Sequence, residues 1–186
     1  MYVDNSLSFN TNWTTTQAIT STVDSSTVID VTGAGSGNQP TMSNGINSTG
    51  YPNNAIGFDI GQGDGIAIPW VVMTINTTFV SAGNATLQVF LQAAPDNGSY
   101  SPGTWTTLYE SGVFTTAQLT TAETLMFQVP PRAITGQPGE ALPRFYKLSY
   151  TVASSTFSAG KVVSGIVLNP PNGLVNTLYP SNFVSV

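Results

Sequence analysis

The sequence predicts an all-β protein, a two-sheet sandwich of jelly-roll type, and three observations lead there. Apolar residues recur with period two along several stretches, and no stretch sustains a helical period. Positions between them are filled by Thr, Ser, Asn, Gln and Gly, the β-branched and turn-forming residues that suit half-exposed strands and their connections. The resulting strands are short, separated by long polar returns, and mostly apolar on one face, which is how two packed sheets read along a chain. A length of 186 residues with 40% hydrophobic content allows one sizeable core.

In chain order, residues 1–13 read as an N-terminal arm carrying Tyr2, Val3, Leu7 and Phe9, apolar residues placed before the first clear strand. Short strands follow near Ala18–Val23 and Thr27–Val31. Residues 33–65, GAGSGNQPTMSNGINSTGYPNNAIGFDIGQGDG, form an inserted loop too long for an idle connection in a compact domain. Ile66–Ile75 is apolar on both sides, Ile68, Trp70 and Val72 against Val71, Met73 and Ile75. It is therefore expected to be a central strand with a second layer, or another subunit, over its outer face. In Asn84–Ala93, Leu87, Val89 and Leu91 alternate with Thr86, Gln88 and Gln92, the clearest strand with one buried face. Thr104–Glu110 and Val113–Leu119 are weaker strands, and only Thr115–Leu125 hints at a short helix. Leu125, Phe127 and Val129 alternate with Thr124 and Gln128, and Tyr146, Leu148, Tyr150 and Val152 with Lys147, Ser149 and Thr151. Lys161–Leu168 completes a single domain over residues 14–169. The tail, residues 170–186, is too apolar for an idle terminus, with Leu174, Val175, Leu178, Tyr179, Phe183 and Val184.

One phrase occurs twice, TFVSAGNATLQVFL at Thr78–Leu91 and TFSAGKVVSGIVL at Thr156–Leu168. Each copy sets a Phe and then Ala-Gly between two period-two segments, with Gly83 and Gly160 suited to the positive φ a returning chain often needs. Both read as hairpin-like returns whose Phe79 and Phe157 fold back as apolar plugs. Two copies fall short of a solenoid or propeller.

Composition narrows function. Charged residues are 7% of the chain, and Cys and His are both absent. Disulfides, thiolate metal sites and the commonest general base go with them. No apolar run is long enough to span a bilayer and the start, MYVDNSLSFN, lacks the basic and apolar regions of a secretory signal, so the expectation is a soluble protein left where it was made. The N-x-[ST] sequons at Asn12, Asn47, Asn76, Asn84 and Asn97 then reflect abundant Asn, Ser and Thr. Net charge is −5, with four basic residues, Arg132, Arg144, Lys147 and Lys161, all in the last third. That is a poor profile for nucleic acid, since phosphate binding neutralises several backbone charges at once.

Motifs that suggest chemistry do not carry it. GAGSG (33–37) and GQGDG (61–65) lack the Gly-Lys-Ser/Thr ending of a phosphate loop. Asp59 and Asp64 lack the acidic spacing of a calcium loop. Ser158 to Lys161 matches S-x-x-K, but in a return and not at a helix start. Nothing flanking Glu110 and Glu123 brings them together as a glycosidase pair. Trp13, Trp70 and Trp105 raise the alternative of a carbohydrate-binding module or host-surface adhesin, with Trp105 the aromatic best placed for display. No enzyme activity, cofactor or metal is expected.

The phrases QAIT-STVDSSTVIDV, DIGQGDGIAIPWVVM, TFVSAGNATLQVFLQ and PRFYKLSYTVASSTFSAGKVVSGIVLN, in that order, make the chain resemble the capsid cement proteins of tailed bacteriophages, the kind named from a Bordetella phage. The resemblance covers residues 1–32 and 58–169, and its most specific part is the closing strand, return and strand. It implies a jelly-roll-like decoration protein on the outer surface of an icosahedral head. Such a protein is a homo-oligomer, dimer or trimer, made in the bacterial host cytoplasm. It clamps neighbouring major capsid proteins, with no catalysis, no direct nucleic-acid contact and no membrane. The Gly-rich insertion at 33–57 and the longer tail depart from that pattern. On this reading the arm residues Tyr2, Leu7 and Phe9, the tail residues Leu178, Tyr179 and Phe183, and the cations Arg132, Arg144, Lys147 and Lys161 are the expected contacts with capsid or a neighbouring subunit.

Overall fold

The computed structural model describes residues 7–30, 70–97, 99, 101–129 and 143–167. The arm residue Tyr2, the loop 33–65, Arg132 and the tail 170–186 lie outside them. Ten strands are described. They are β1 (Gln17–Ala18), β2 (Val23–Asp24), β3 (Ile29–Asp30), β4 (Trp70–Val80), β5 (Thr86–Ala94), β6 (Thr106–Glu110), β7 (Phe114–Thr115), β8 (Thr124–Gln128), β9 (Phe145–Ala153) and β10 (Ala159–Val167). One sheet has the order β1-β10-β4-β8 and the other β2-β9-β5-β6, with β3 pairing β9 and β7 pairing β5; every pairing is antiparallel. Leaving the short β3 and β7 aside and counting the rest in chain order, strands 1-8-3-6 face strands 2-7-4-5. In this count the chain changes sheet at every step except from strand 4 to strand 5, which is jelly-roll topology.

The core is the inner face of both sheets. Leu87, Val89, Leu91 and Ala93 of β5 are buried while Thr86, Gln88, Phe90 and Gln92 are only half so, as period two requires. Tyr146, Leu148 and Tyr150 of β9 meet Val71, Met73 and Ile75 of β4 and Val162 and Ile166 of β10 in the same cluster. β4 lies between β10 and β8. Val72, on its outer face, is also buried, in line with the two-sided apolar pattern.

The repeated phrase forms both connections at one end of the sandwich. They are arches between sheets, not hairpins: 81–85 leads from β4 in the first sheet to β5 in the second, and 154–158 from β9 in the second to β10 in the first. A five-residue return is compatible with either geometry, and the sequence motif does not say which sheet receives the next strand. The two arches lie side by side. The Ser81 hydroxyl donates to the Thr156 carbonyl (2.9 Å), and the Ser158 amide donates to the Val80 carbonyl (2.8 Å). Phe79 and Phe157 are both buried and meet edge to face, centroids 4.9 Å apart at 81°, plugging this end of the core as expected. Gly160 has φ +153, and a Cβ there would sit 2.4 Å from Cδ1 of Phe79. Within the arches themselves the positive φ falls on Asn84 (56°) and Ser154 (67°), and Gly83 instead makes room for the neighbouring arch, where Ser155 Oγ would be 2.4 Å from an added Cβ.

Two further expectations need correction. Leu7 and Phe9, assigned from sequence to an arm gripping a neighbour, are 4% and 0% exposed within their own fold. Ser8 bridges Gly165, and the Phe9 amide donates to the Ser164 carbonyl (2.9 Å), so residues 7–10 extend the first sheet along the outer edge of β10, beside β1. Gly165 permits this approach, because a Cβ there would lie 2.6 Å from the Leu7 carbonyl oxygen and 2.3 Å from the Trp13 ring. The predicted strand at Val113–Leu119 is only β7. Beyond it Thr115 and Gln118 form a capping box around a 3-10 turn at Thr116–Gln118, which carries the chain from the second sheet to the first.

Polar groups also pass through the core. The Tyr150 hydroxyl of β9 reaches the Ser164 hydroxyl of β10 (2.9 Å), and Ser164 donates through its amide (2.8 Å) and hydroxyl (3.1 Å) to the Asn10 side-chain oxygen. This chain of bonds ties the second sheet, the first sheet and the N-terminal segment together at buried positions. Burial raises the pKa values of both Tyr146 and Tyr150, and for Tyr150 the bond to Ser164 opposes the rise in part.

The sign of the pH dependence follows. A tyrosine whose folded pKa lies above its unfolded value gives full stability below the unfolded pKa of about 10. That stability is lost as pH rises above it. Urea midpoints should therefore hold flat through neutral pH and fall above about pH 10, and Tyr150→Phe should reduce that alkaline slope. Gly160→Ala should lower stability by about 1–3 kcal/mol in the natural chain. It should cost clearly less in a Phe79→Ala background, as a double-mutant cycle in urea reads directly.

Candidate functional site

The end opposite the paired arches is built differently. Trp70 at the start of β4 pairs with Val167 at the end of β10 on one side and with Gln128 at the end of β8 on the other. In the second sheet Asp30, Phe145 and Ala94 align at the corresponding end. The described chain therefore enters or leaves the body at this one end at Leu7, Asp30, Trp70, Val129, Pro143 and Val167. Segments 1–6, 31–69, 130–142 and 168–186 all attach here, and the 95–105 connection from β5 to β6 lies at the same end. Of the residues expected to contact capsid or a neighbour, Tyr2, Arg132, Leu178, Tyr179 and Phe183 belong to these segments.

Arg144 organises this end. Its Nε donates to Oδ1 of Asp30 and its Nη2 to Oδ2 of the same carboxylate, both at 2.9 Å, while Nη1 pairs with Asp96. Asp30 is 0% and Arg144 7% exposed. The guanidinium also lies 4.8 Å from the centre of the Phe145 ring, and the Arg144 amide donates to the Ala94 carbonyl (2.9 Å). Desolvation lowers the pKa of Arg144, but the hydrogen bonds and charge of Asp30, followed by Asp96, outweigh it and raise the value overall, so the cation persists in a buried place. One side chain thereby fixes the end of β3, the start of the β5–β6 connection and the start of β9. Arg144 is thus an internal tie, not the exposed contact expected from sequence, since it is itself buried and its donors are turned onto the buried Asp30 and the half-buried Asp96.

The other cations do not join it. Lys147 of β9 donates to Oδ2 of Asp24 (2.6 Å) and lies 4.6 Å from the centre of the Trp105 ring, across the second sheet's outer face. Lys161 stands exposed on β10 in the other sheet, nearer the arches, where it pairs with Ala18 and Thr77. Trp105, the aromatic best placed for a sugar ring, has one face covered by Lys147. Glu110 and Glu123 belong to different sheets: Glu110 accepts from the Gln88 side chain (2.6 Å), and the Glu123 carbonyl accepts from the Ile75 amide (2.8 Å). Among the described residues no cluster of His, Cys, Asp or Glu is placed to hold a metal, and no helix is long and apolar enough to cross a membrane.

The two flanks of the sandwich differ as well. On one, β1 and β2 are stitched together by Gln17, whose side chain donates to the Asp24 carbonyl (2.7 Å) and accepts from the Ser26 amide (2.9 Å). On the other, the edge strands β6 and β8 leave a cavity of about 540 Å³ between the sheets, lined chiefly by apolar side chains, with Glu123 and Ser111 among its polar groups. Tyr109 of β6 and Phe127 of β8 stack across it, centroids 4.0 Å apart at 10°. Sequence reasoning missed this cavity, although Leu125 and Phe127 were placed on an inner face, because the strand order that makes β6 and β8 neighbours across an opening is not written in local periodicity.

The sequence profile of the Bbp16 family matches residues 13–166, most of the chain and nearly all of the described sandwich. No curated protein matches.

Removing one partner of a buried pair strands the other charge, so Arg144→Met should destabilise the fold by about 3–5 kcal/mol. Adding Asp30→Asn and Asp96→Asn to that variant should recover part of the loss, measured by urea unfolding at neutral pH.

Proposed function

The chain belongs to the Bbp16 family, a family of bacteriophage proteins, and from that premise we propose that it is a structural protein of the virion, a cement protein on the outer surface of the head. In this role it acts as a homo-oligomer and clamps neighbouring major capsid proteins without performing turnover. The observation that carries the reading is the polarity of the sandwich. One end is sealed by two short arches over an apolar plug, and at the other the described chain enters and leaves beside one buried ion pair. A β body with long segments attached at a single end suits a clamp, because such segments can add main-chain hydrogen bonds and pocketed side chains to a neighbour.

The charge distribution supports the same reading. Two of the three described cations are already paired with carboxylates, so attachment would rest on shape, apolar side chains and amide bonds, which salt screens weakly. The contacts would come from Tyr2, Arg132, Leu178, Tyr179 and Phe183 in the rooted segments, and not from Leu7 and Phe9, which the protein's own core uses.

Purified protein mixed with phage heads lacking it should co-sediment with them and raise their melting temperature. Binding should change little between about 0.05 and 0.5 M salt. Deleting residues 1–6 together with 168–186 should weaken attachment about tenfold or more, because it removes apolar anchors while leaving the sandwich intact. Failure of the intact chain to bind such heads would defeat the proposal.

A further inference from the structure

The flank between β6 and β8 has the form of a strand-docking site, and we propose that residues 174–179 of the same chain, LVNTLY, fill it by adding a strand to β8. The inference concerns the isolated chain and does not depend on binding to a phage head.

The first ground is the edge itself. β8, Thr124–Gln128, pairs with β4 on one side in unbroken register and has no described strand on the other. Proteins blunt open edges with charge, proline or a bulge. β8 reads TLMFQ and has none of these. β6, across the cavity, is blunted: its pairing with β5 shifts register between Leu91 and Gln92 and it ends on Glu110. The cavity behind β8 is lined by Met73, Val89, Phe114, Leu125 and Phe127 beside the stacked Tyr109. A strand added at β8 would cover this opening.

The second ground is where the described chain ends. Val167 is opposite Trp70, and Trp70 is opposite Gln128, so the chain leaves two strand spacings from the end of β8. A position beyond β8 is three spacings away, about 14 Å. Residues 168–173, LNPPNG, reach about 20 Å when extended, enough to cross the start of β4. β10 and β8 both run antiparallel to β4, so a chain turning back from Val167 would run antiparallel to β8, the more favourable pairing.

The third ground is sequence. The run 174–179 is bounded by Pro-Pro-Asn-Gly before and Pro180 after, turn and stop signals around a segment of ordinary strand length. Leu174 and Leu178 share one face of such a strand and Val175 and Tyr179 the other, so either register turns two large apolar residues into the cavity. Residues 168–186 contain no charged side chain, so docking would bury none. Tethering makes the contact intramolecular, at an effective concentration that favours it over the same segment from another copy.

Hydrogen exchange on the isolated protein tests this. Amides in 124–128 should exchange about tenfold or more slowly in the full chain than in a chain ending at residue 168, which keeps every described strand. The full-length variant with Leu174→Ser, Val175→Ser, Leu178→Ser and Tyr179→Ser should match the shortened one. The natural chain has no cysteine, so M126C combined in turn with cysteine at 175, 176 or 177 gives clean crosslinking. Oxidation should produce a disulfide within one chain. Equal exchange in full and shortened chains, or disulfides only between two chains, would overturn the proposal.

Discussion

The pairing of Arg144 with Asp30 constrains the rest of this structure. Withdrawing either ion from water costs several kcal/mol, and the cost is met only where donors and acceptors are closely matched. A bidentate fork on Asp30 with a further contact to Asp96 meets that condition, and it does so at the point where three connections begin or end. The ends of β3, β5 and β9, already held side by side by main-chain pairing, are thus tied by a side chain as well. The opposite end has no such ion pair: two short arches joined by hydrogen bonds and a pair of phenylalanines close it.

The flanks repeat this asymmetry. Where β1 and β2 meet, Gln17 stitches the edges, and the Tyr150–Ser164–Asn10 bonds run through the core beneath to bind both sheets to the N-terminal segment. The bonds among Tyr150, Ser164 and Asn10 lie at buried positions, where an unmade partner is costly, so they favour one packing of the sheets. Across the molecule a single stacked pair, Tyr109 and Phe127, spans an opening. Local stability should follow this pattern, highest along β9 and β10 and lowest along β6 and β8, since opening a strand costs least where the fewest buried contacts are lost.

Much of this was legible in the sequence, for identifiable reasons. Period two in β5 and β9 marked their faces because each has one buried side, and the two-sided apolar run around Trp70 marked β4 as central. The repeated phrase revealed two equivalent returns and their phenylalanine plugs. Other features were hidden because they join residues far apart in the chain. Leu7 and Phe9 read the same whether they pack on their own sheet or a neighbour's, and the one available signal was Gly165, a glycine inside a strand, which often marks close backbone approach. Arg144 looked like a surface cation because its partner Asp30 is 114 residues away. Its position directly before the buried Phe145 and Tyr146 was the hint that it too is drawn inward.

A protein with so few charges might be expected to keep them all on its surface for solubility, yet Arg144 is committed to the interior and Lys147 is engaged by Asp24 and Trp105. The outer faces are left to Thr, Ser, Gln and Asn, which are wetted by hydrogen bonding and carry little long-range field. Such faces add little to steering at a distance, so specificity rests mainly on features that act on contact. In the described body those features are concentrated in two places: the end where the long segments are rooted, and the neighbouring edge of β8. These lie next to one another, because β8 ends beside Trp70 at that same end. Val167 lies two strands from that edge, so on the docking proposed above, self-docking and partner-docking are competing uses of one chain terminus.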